Sequence, residues 1–230
     1  MVWVLPTVSR PKQCAEALER IRYLGCRSKG IIFINGAASQ YSKIKEHAPS
    51  TWAVRFSGEN IGCLAALNSV FKEFPDELWY GFMADDEMLS PESPIDWEDQ
   101  LIKTAGGWSI AHGYEDWNHG KRCQGYPIFG GKLLRAIGYW ALPTTFHNFG
   151  LDSMHEWLNG PPAFGGGGLH NIICLPRIKI RHNRATPGLA KDECYKLADD
   201  MLEKDRQPFW DWCMNDLKPT ADRVRKAMTE

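Results

Sequence analysis

The sequence predicts an α/β fold, a mostly parallel central sheet flanked by helices, and three observations predict it. Within the first 84 residues four apolar runs, "VWVLP", "GIIFING", "TWAVRF" and "ELWYGFM", alternate with stretches of helical spacing. The runs are continuously apolar rather than alternating, as strands covered on both faces are. Each run empties into a polar cluster: "PTVSR", "NGA", "SGEN" and "ADDE". In a doubly wound sheet these clusters share the carboxyl edge, where ligands bind.

The elements follow in order. "VWVLP" is a short buried strand, and "PKQCAEALERIRYLG" is a helix with Cys14, Leu18, Ile21 and Leu24 on one face. Pro11 opens that helix and Gly25 closes it. "GIIFING" is a second strand, "YSKIKEHA" a short helix and "TWAVRF" a third strand. "NIGCLAALNSVFKEFP" is an amphipathic helix stopped by Pro75, with Asn60 placed to cap it. "ELWYGFM" is the fourth strand. Beyond residue 95 "DWEDQLIKTAG", "GGKLLRAIGYW" and "LDSMHEWLNG" read as helices, "WSIAHG" as a strand and "IICLPRIKIRH" as a pair of short strands. "PPAFGGGG" reads as a flexible loop suited to a lid hinge, and the chain from Leu189 onward as charged, amphipathic helix.

Bulk properties set the class. The chain has 230 residues, 43% hydrophobic and 24% charged, with a formal net charge of −1, so no global field draws it to nucleic acid or an anionic membrane. The seven cysteines are scattered and include no C-x-x-C pair, which argues against a zinc module or a disulfide framework and for reduced thiols. The N-terminus lacks the basic region of a signal peptide. No apolar run approaches the roughly 20 residues of a spanning helix. A soluble, cytoplasmic protein is expected.

The strand ends supply the chemistry. Asp85, Asp86 and Glu87 are three consecutive acids after an apolar run. They read either as a solvated turn or as a seat for a divalent cation whose remaining ligands come from a phosphate-bearing substrate. In "PTVSRP", Thr7 and Ser9 offer hydroxyls and Arg10 a guanidinium for a phosphate, against the plainer reading of a strand-to-helix turn. "ENIG" opens a helix, where free N–H groups and Gly62 allow close approach of an anion or a nucleoside. Neither a G-x-G-x-x-G fingerprint nor a P-loop is present.

Taken together and in this order, "PTVSRP", "NG", "ENIGCLAALN", "ADDE", "GYPIFGGKLLRAIGYW", "HNFGLDSMHEW" and "IRHN" resemble the GT-A glycosyltransferases, in particular the inverting, family 2-like group that uses nucleotide-diphosphate sugars. The resemblance spans about residues 2–184 and rests on order and spacing. It implies a GT-A domain over 1–185, with a nucleotide-sugar half at about 1–95 and an acceptor half at 96–185, followed by a helical C-terminal extension at 186–230.

The same resemblance implies roles. Thr7, Ser9, Arg10, Asn35, Asn60, Gly62 and Asp85 would bind the nucleotide sugar. Asp86, Glu87 and His182 would hold Mn2+ or Mg2+, although Glu87 stands where the family's D-x-D element has Asp. Asp152 would be the general base, with Glu156 one turn further and His147 and His155 nearby; the alternative is a helix-terminal acid stabilised by the dipole. Trp108, Trp117 and Trp140 are candidates to stack on rings, although core packing is the commoner fate of tryptophan. The implied partners are a UDP-sugar donor and a hydroxyl acceptor: a glycan, a small molecule or a hydroxymethylated base in DNA. The basic stretches "RIKIRHNR" and "HGKRCQ" are what keep DNA among them. A nucleotidyltransferase and a non-catalytic nucleotide- or sugar-binding module are the competing readings; "PTVSRPKQ" has no glycine for the phosphate loop of the former.

Overall fold

A computed structural model describes residues 1–36, 38–116, 118–143, 151–182 and 193–230, the last segment with side chains from Leu202 onward. The chain runs β1 (Val2–Thr7), α1 (Pro11–Tyr23), β2 (Lys29–Asn35), a 3-10 turn at Ala38–Tyr41, α2 (Ile44–His47), β3 (Trp52–Ser57), α3 (Cys63–Glu73) and β4 (Trp79–Phe82). There follow β5 (Glu87–Leu89), α4 (Trp97–Ala105), β6 (Ile110–Glu115), β7 (Ile128–Gly130), α5 (Gly131–Ile137), α6 (Asp152–Asn159), β8 (Ile172–His182), α7 (Glu193–Asn215) and α8 (Leu217–Thr229).

The strands form one sheet of eight in the order β3-β2-β1-β4-β7-β6-β8-β5. β1 to β4 are parallel. β7 is antiparallel to both β4 and β6, and β8 is parallel to β6. β6 and β8 therefore run the same way as β1 to β4, and their carboxyl ends meet at one edge. The short β5 returns antiparallel to β8, with Glu87 opposite His182.

Register is set at the opposite end of β1 to β3. Trp3 pairs with Gly30 on one side and Gly81 on the other, and Gly30 pairs with Trp52. One row across four strands thus reads Trp52–Gly30–Trp3–Gly81. A Cβ on Gly30 would lie 2.2 Å from the Trp52 ring, and one on Gly81 would lie 2.1 Å from the Trp3 ring. Each indole lies flat over its neighbour's bare backbone, where no other residue leaves room. A slip by one residue would turn both rings to the other face. With the row fixed, Thr7 ends opposite Ile34 and Asn35 opposite Ser57, so the loops leave the sheet side by side.

Helices cover both faces. On one, α1, α2 and α4 bury Cys14, Leu18, Ile44, Trp97 and Leu101 against Leu5, Ile32 and Ile128. On the other, Leu64, Leu67 and Val70 of α3 and Leu134 of α5 share a core with Met154 and Leu158 of α6. Phe209 and Trp212 of α7 and Leu217, Ala221 and Val224 of α8 belong to that same core. The expected C-terminal helices therefore help to bury the sheet. Six of the cysteines, Cys14, Cys26, Cys63, Cys123, Cys174 and Cys213, are free thiols.

Three local expectations are corrected. "IICLPRIKIRH" is one strand, β8, rather than two. Its register with β6 jumps from Leu175 opposite Gly113 to Lys179 opposite Tyr114, because Pro176 has no N–H for the ladder and the chain bulges there. α3 is not capped by Asn60. Gly62, at φ 83°, precedes its first residue, and the Asn60 side chain accepts the Gly62 N–H at 3.0 Å. "PPAFGGGG" is not a free hinge. Gly167 N–H donates to Trp157 O at 2.8 Å, Gly168 N–H to Gly160 O at 2.9 Å, and Arg225 of α8 to Gly167 O at 2.6 Å. A Cβ on Gly166 would lie 2.3 Å from the Gly160 backbone, so this glycine serves close approach.

Candidate active site

The first loop is built around Asp85. Thr7, at the end of β1, donates its hydroxyl to Asp85 Oδ2 at 2.7 Å. The Tyr41 hydroxyl lies 2.7 Å from Thr7 Oγ1 and accepts the Arg10 N–H at 3.1 Å. Since Thr7 spends its proton on Asp85, Tyr41 is the donor to Thr7, and the chain Arg10–Tyr41–Thr7–Asp85 has one direction. Tyr41 was not legible as a site residue: it comes from the 3-10 turn after β2, and only tertiary contact brings it here. Ser9 is exposed on the same loop.

Arg10 folds back over the acids. Its Nη1 lies 3.0 Å from Asp85 Oδ1 and 3.0 Å from Asp86 Oδ2. One guanidinium thus spans adjacent carboxylates that would otherwise repel each other in a buried place. Burial raises the Asp85 carboxyl above the ordinary range, Asp86 adds to the rise, and Arg10 and Thr7 oppose it. Cys63, the first residue of α3, feels the same charges: burial first, then Asp85 and Asp86, push its thiol up to about 12.

His182, at the end of β8, stands on the other side of Asp86, its Nε2 3.4 Å from Asp86 Oδ2. Its Nδ1 lies 2.5 Å from Oε1 of Glu115, a fully buried acid at the end of β6. Burial works against the imidazolium, but the bonds to Asp86 and Glu115 outweigh it and lift His182 to about 10. Glu87 turns away from solvent into β5. Its Oε2 is buried without a hydrogen-bond partner, and burial pushes its carboxyl up to about 8 against the pull of His182. Asp86 Oδ2 and His182 Nε2 are the carboxylate oxygen and imidazole nitrogen that face each other at this edge. No cluster of three or more His, Cys, Asp or Glu able to hold a metal ion occurs among the described residues.

The next stretch of this edge is formed by the ends of β2 and β3. Asn35 is buried, and its Oδ1 accepts the Ser57 hydroxyl at 3.3 Å. Gly36 lies next to the Asn60 backbone, so the loops after β2 and β3 are in contact.

The second acidic pair is on α6. Asp152 Oδ2 receives Gln124 Nε2 at 2.7 Å and lies 2.9 Å from Arg122 Nη2. Arg122 also reaches Glu156, 3.2 Å from Nε to Oε1, and the Cys123 N–H donates to that oxygen at 3.0 Å. Burial raises the Glu156 carboxyl and Asp152 adds to this, with Arg122 opposing. A cavity of about 410 Å³ opens beside Glu156, lined also by His112, Lys121, Asn159 and Cys174.

Other expectations fall outside this cluster. His155 is fully buried, with Nε2 3.1 Å from Trp140 O, and so neither touches an acceptor nor orients Asp152. Trp140 lies in the core against Tyr80 and Phe129, and Trp108 packs on the same core. Trp117 and His147 lie outside the described residues. Glu115 was missed, since nothing in its local sequence marks it, and "HGKRCQ", read only as a basic stretch, supplies Arg122 and Gln124.

No family model matches the sequence, and no curated protein matches it. Solved structures do match in fold. A crystal structure of S. aureus TarS superposes with a TM-score of 0.58 at 11% identity, covering 98% of this chain and 50% of that one. Glucosyl-3-phosphoglycerate synthase from Mycobacterium tuberculosis, crystallised with Mn2+, uridine-diphosphate-glucose and phosphoglyceric acid, superposes with a TM-score of 0.60 at 13% identity, covering 92% of this chain and 79% of that one. The chain thus spans about half the length of TarS. Its fold is GT-A, as the sequence led one to expect.

Proposed function

We propose that this GT-A chain is a metal-dependent glycosyltransferase that moves a sugar, with inversion, from a nucleotide-diphosphate sugar to a hydroxyl acceptor. The observation that carries the reading is the meeting of Thr7, Arg10, Asp85, Asp86 and His182 at one edge of the sheet, with α6 presenting Asp152 beyond them. The complexes of the mycobacterial synthase with Mn2+ and uridine-diphosphate, and with Mg2+ and uridine-diphosphate, support the donor and cation classes.

The donor set fits a divalent cation. Asp86 would supply one hard oxygen and His182, once its Nε2 proton is displaced, one imidazole nitrogen, and diphosphate oxygens would complete such a shell. When bound there, Mn2+ or Mg2+ neutralises charge on the departing diphosphate. Arg10 adds a fixed positive charge, held in place by both aspartates. Asn35 and the Asn60–Gly62 turn flank the base and ribose. Asp152 accepts the acceptor hydroxyl's proton as that oxygen attacks the anomeric carbon from the face opposite the diphosphate, whose bond to that carbon breaks. The cavity beside Glu156 takes the acceptor.

The test is turnover of nucleotide sugars with Mn2+. The wild-type chain hydrolyses or transfers at least one UDP-sugar, and Asp86→Ala abolishes that turnover at a temperature where its far-ultraviolet circular dichroism still matches that of the folded wild type. Normal activity in Asp86→Ala removes the cation seat from the mechanism. A wild-type chain that binds no nucleotide sugar removes the enzyme reading. No helix of the described residues is long and apolar enough to cross a membrane.

A further inference from the structure

Between the two acidic sites runs an unbroken line of side chains. His182 Nδ1 meets Glu115 Oε1 at 2.5 Å, and Asn118 Nδ2 donates to Glu115 Oε2. Asn118 Nδ2 also donates to Gln124 Oε1 at 2.9 Å, and Gln124 Nε2 donates to Asp152 Oδ2 at 2.7 Å. The line therefore starts at the histidine that faces Asp86 and ends on the carboxylate of α6.

Donor and acceptor chemistry leaves this line one polarity. Glu115 and Asp152 are carboxylates and only accept. Asn118 must turn its nitrogen to Glu115, and Gln124 must turn its nitrogen to Asp152. Gln124 then presents its oxygen to Asn118, whose second N–H fills it. The cost is visible: Asn118 Oδ1 is buried with no hydrogen-bond partner. A flip of Asn118 would satisfy nothing at the Glu115 end, because two oxygens would then face each other. At the other end, Glu115 takes the Nδ1 proton of His182, which leaves Nε2 as the nitrogen that faces Asp86.

We propose that Glu115 is a positioning residue that fixes which His182 nitrogen serves the cation seat, and that Asn118 and Gln124 extend its control to Asp152. The proposal rests on the reading of Asp86 and His182 as that seat. Glu115 is fully buried and touches neither the cation nor a substrate in this scheme. It acts through the orientation of its neighbours.

Glu115→Gln tests it with little change of shape. Glutamine offers one oxygen and one NH2 where glutamate offers two oxygens, yet two donors still face the position. Either His182 loses its Nδ1 partner, or Asn118 and Gln124 flip in turn until an oxygen faces Asp152. Mn2+ affinity in the presence of UDP, read by electron paramagnetic resonance, falls about ten- to a hundredfold in Glu115→Gln and less in Glu115→Asp. The Nδ1 proton signal of His182, assigned by its absence from His182→Asn, shifts or broadens in the metal-free Glu115→Gln chain.

Gln124→Leu reads the far end and leaves the buried glutamate in place. It keeps Mn2+ affinity within about twofold and lowers kcat about tenfold at saturating Mn2+; Glu115→Gln lowers kcat there as well, and the two kcat effects are non-additive in the double variant. If Glu115→Gln binds Mn2+ as wild type does while its Nδ1 signal changes, Glu115 has no positioning role. Additive kcat effects sever the line between Glu115 and Asp152. A wild-type chain that binds no Mn2+ with UDP brings down the seat itself, a failure distinct from these two.

Discussion

Arg10 and Arg122 each lie between two carboxylates, Asp85 and Asp86 in the first case and Asp152 and Glu156 in the second. The charge arrangement is the same, but the surroundings differ. The Arg10, Asp85 and Asp86 side chains are 8%, 8% and 11% exposed, whereas Arg122 is 38% exposed. In the first cluster each charge depends on the others, because water cannot replace a lost partner. In the second, water already reaches the guanidinium and stands ready to take its place. The inner cluster is largely shut off from water, and the outer one is open at its guanidinium while Asp152 itself is 14% exposed. The difference in exposure is the ground on which the roles proposed for them, cation seat and proton acceptor, can be separated.

The largest expected effect probes the outer cluster. Asp152→Asn lowers kcat by about 10²–10⁴-fold, with nucleotide-sugar affinity and melting temperature near those of the wild type. Steady-state kinetics and thermal denaturation check both halves, and unreduced transfer would place the base elsewhere. Arg10→Met then strikes the inner cluster. It leaves two adjacent buried aspartates without their shared cation and costs about 3–5 kcal/mol, measured by urea denaturation at neutral pH. A cost below about 1 kcal/mol would mean that the two clusters do not differ in kind.

Acid gives a third way to sharpen the contrast, through the helix that carries Asp152. Burial lowers His155 from an ordinary value of 6.5 to about 4, with its bond to the Trp140 carbonyl opposing. Protonation is thus harder in the folded chain than in the unfolded one. The stabilising contribution is complete above about pH 6.5 and is lost as pH falls toward 4. It amounts to about 3 kcal/mol, since each tenfold loss of proton affinity is worth about 1.4 kcal/mol. His155→Gln flattens that part of the stability profile; an unchanged slope would assign it to another group. The smallest effect belongs to Arg122→Met, about 1 kcal/mol in the same denaturation assay.

Much of this fold is legible in the sequence. Apolar runs flanked by helical spacing locate β1 to β4, α1 and α3 closely, because burial on both faces leaves a continuous signature. The strand ends were equally legible, and the contacts among Thr7, Arg10, Asp85 and Asp86 follow from parallel strands in register. Local pattern fails where a long-range partner decides. Glu115 is a plain acid after "AHGY" until β8 brings His182 to it, and Gln124 is only the end of the basic stretch "HGKRCQ" until α6 brings Asp152. Pro176 looked like a break between strands, whereas a bulge absorbs it. His155 and Trp140 looked chemical and are core residues bonded to each other, since the side that α6 turns to the sheet cannot be told from its composition alone.

The row Trp52–Gly30–Trp3–Gly81 also bears on how this chain can diverge. Each glycine is empty because the indole on the adjacent strand fills its space, so neither member of a pair is free to drift alone. A lineage that gains a side chain at position 30 must shrink position 52 in step, and one that does so at 81 must shrink position 3. Paired substitution at 30 with 52 and at 81 with 3 is therefore the trace this sheet should leave among its relatives. Such traces would align distant sequences on the strands that carry the site even where the acids themselves have changed.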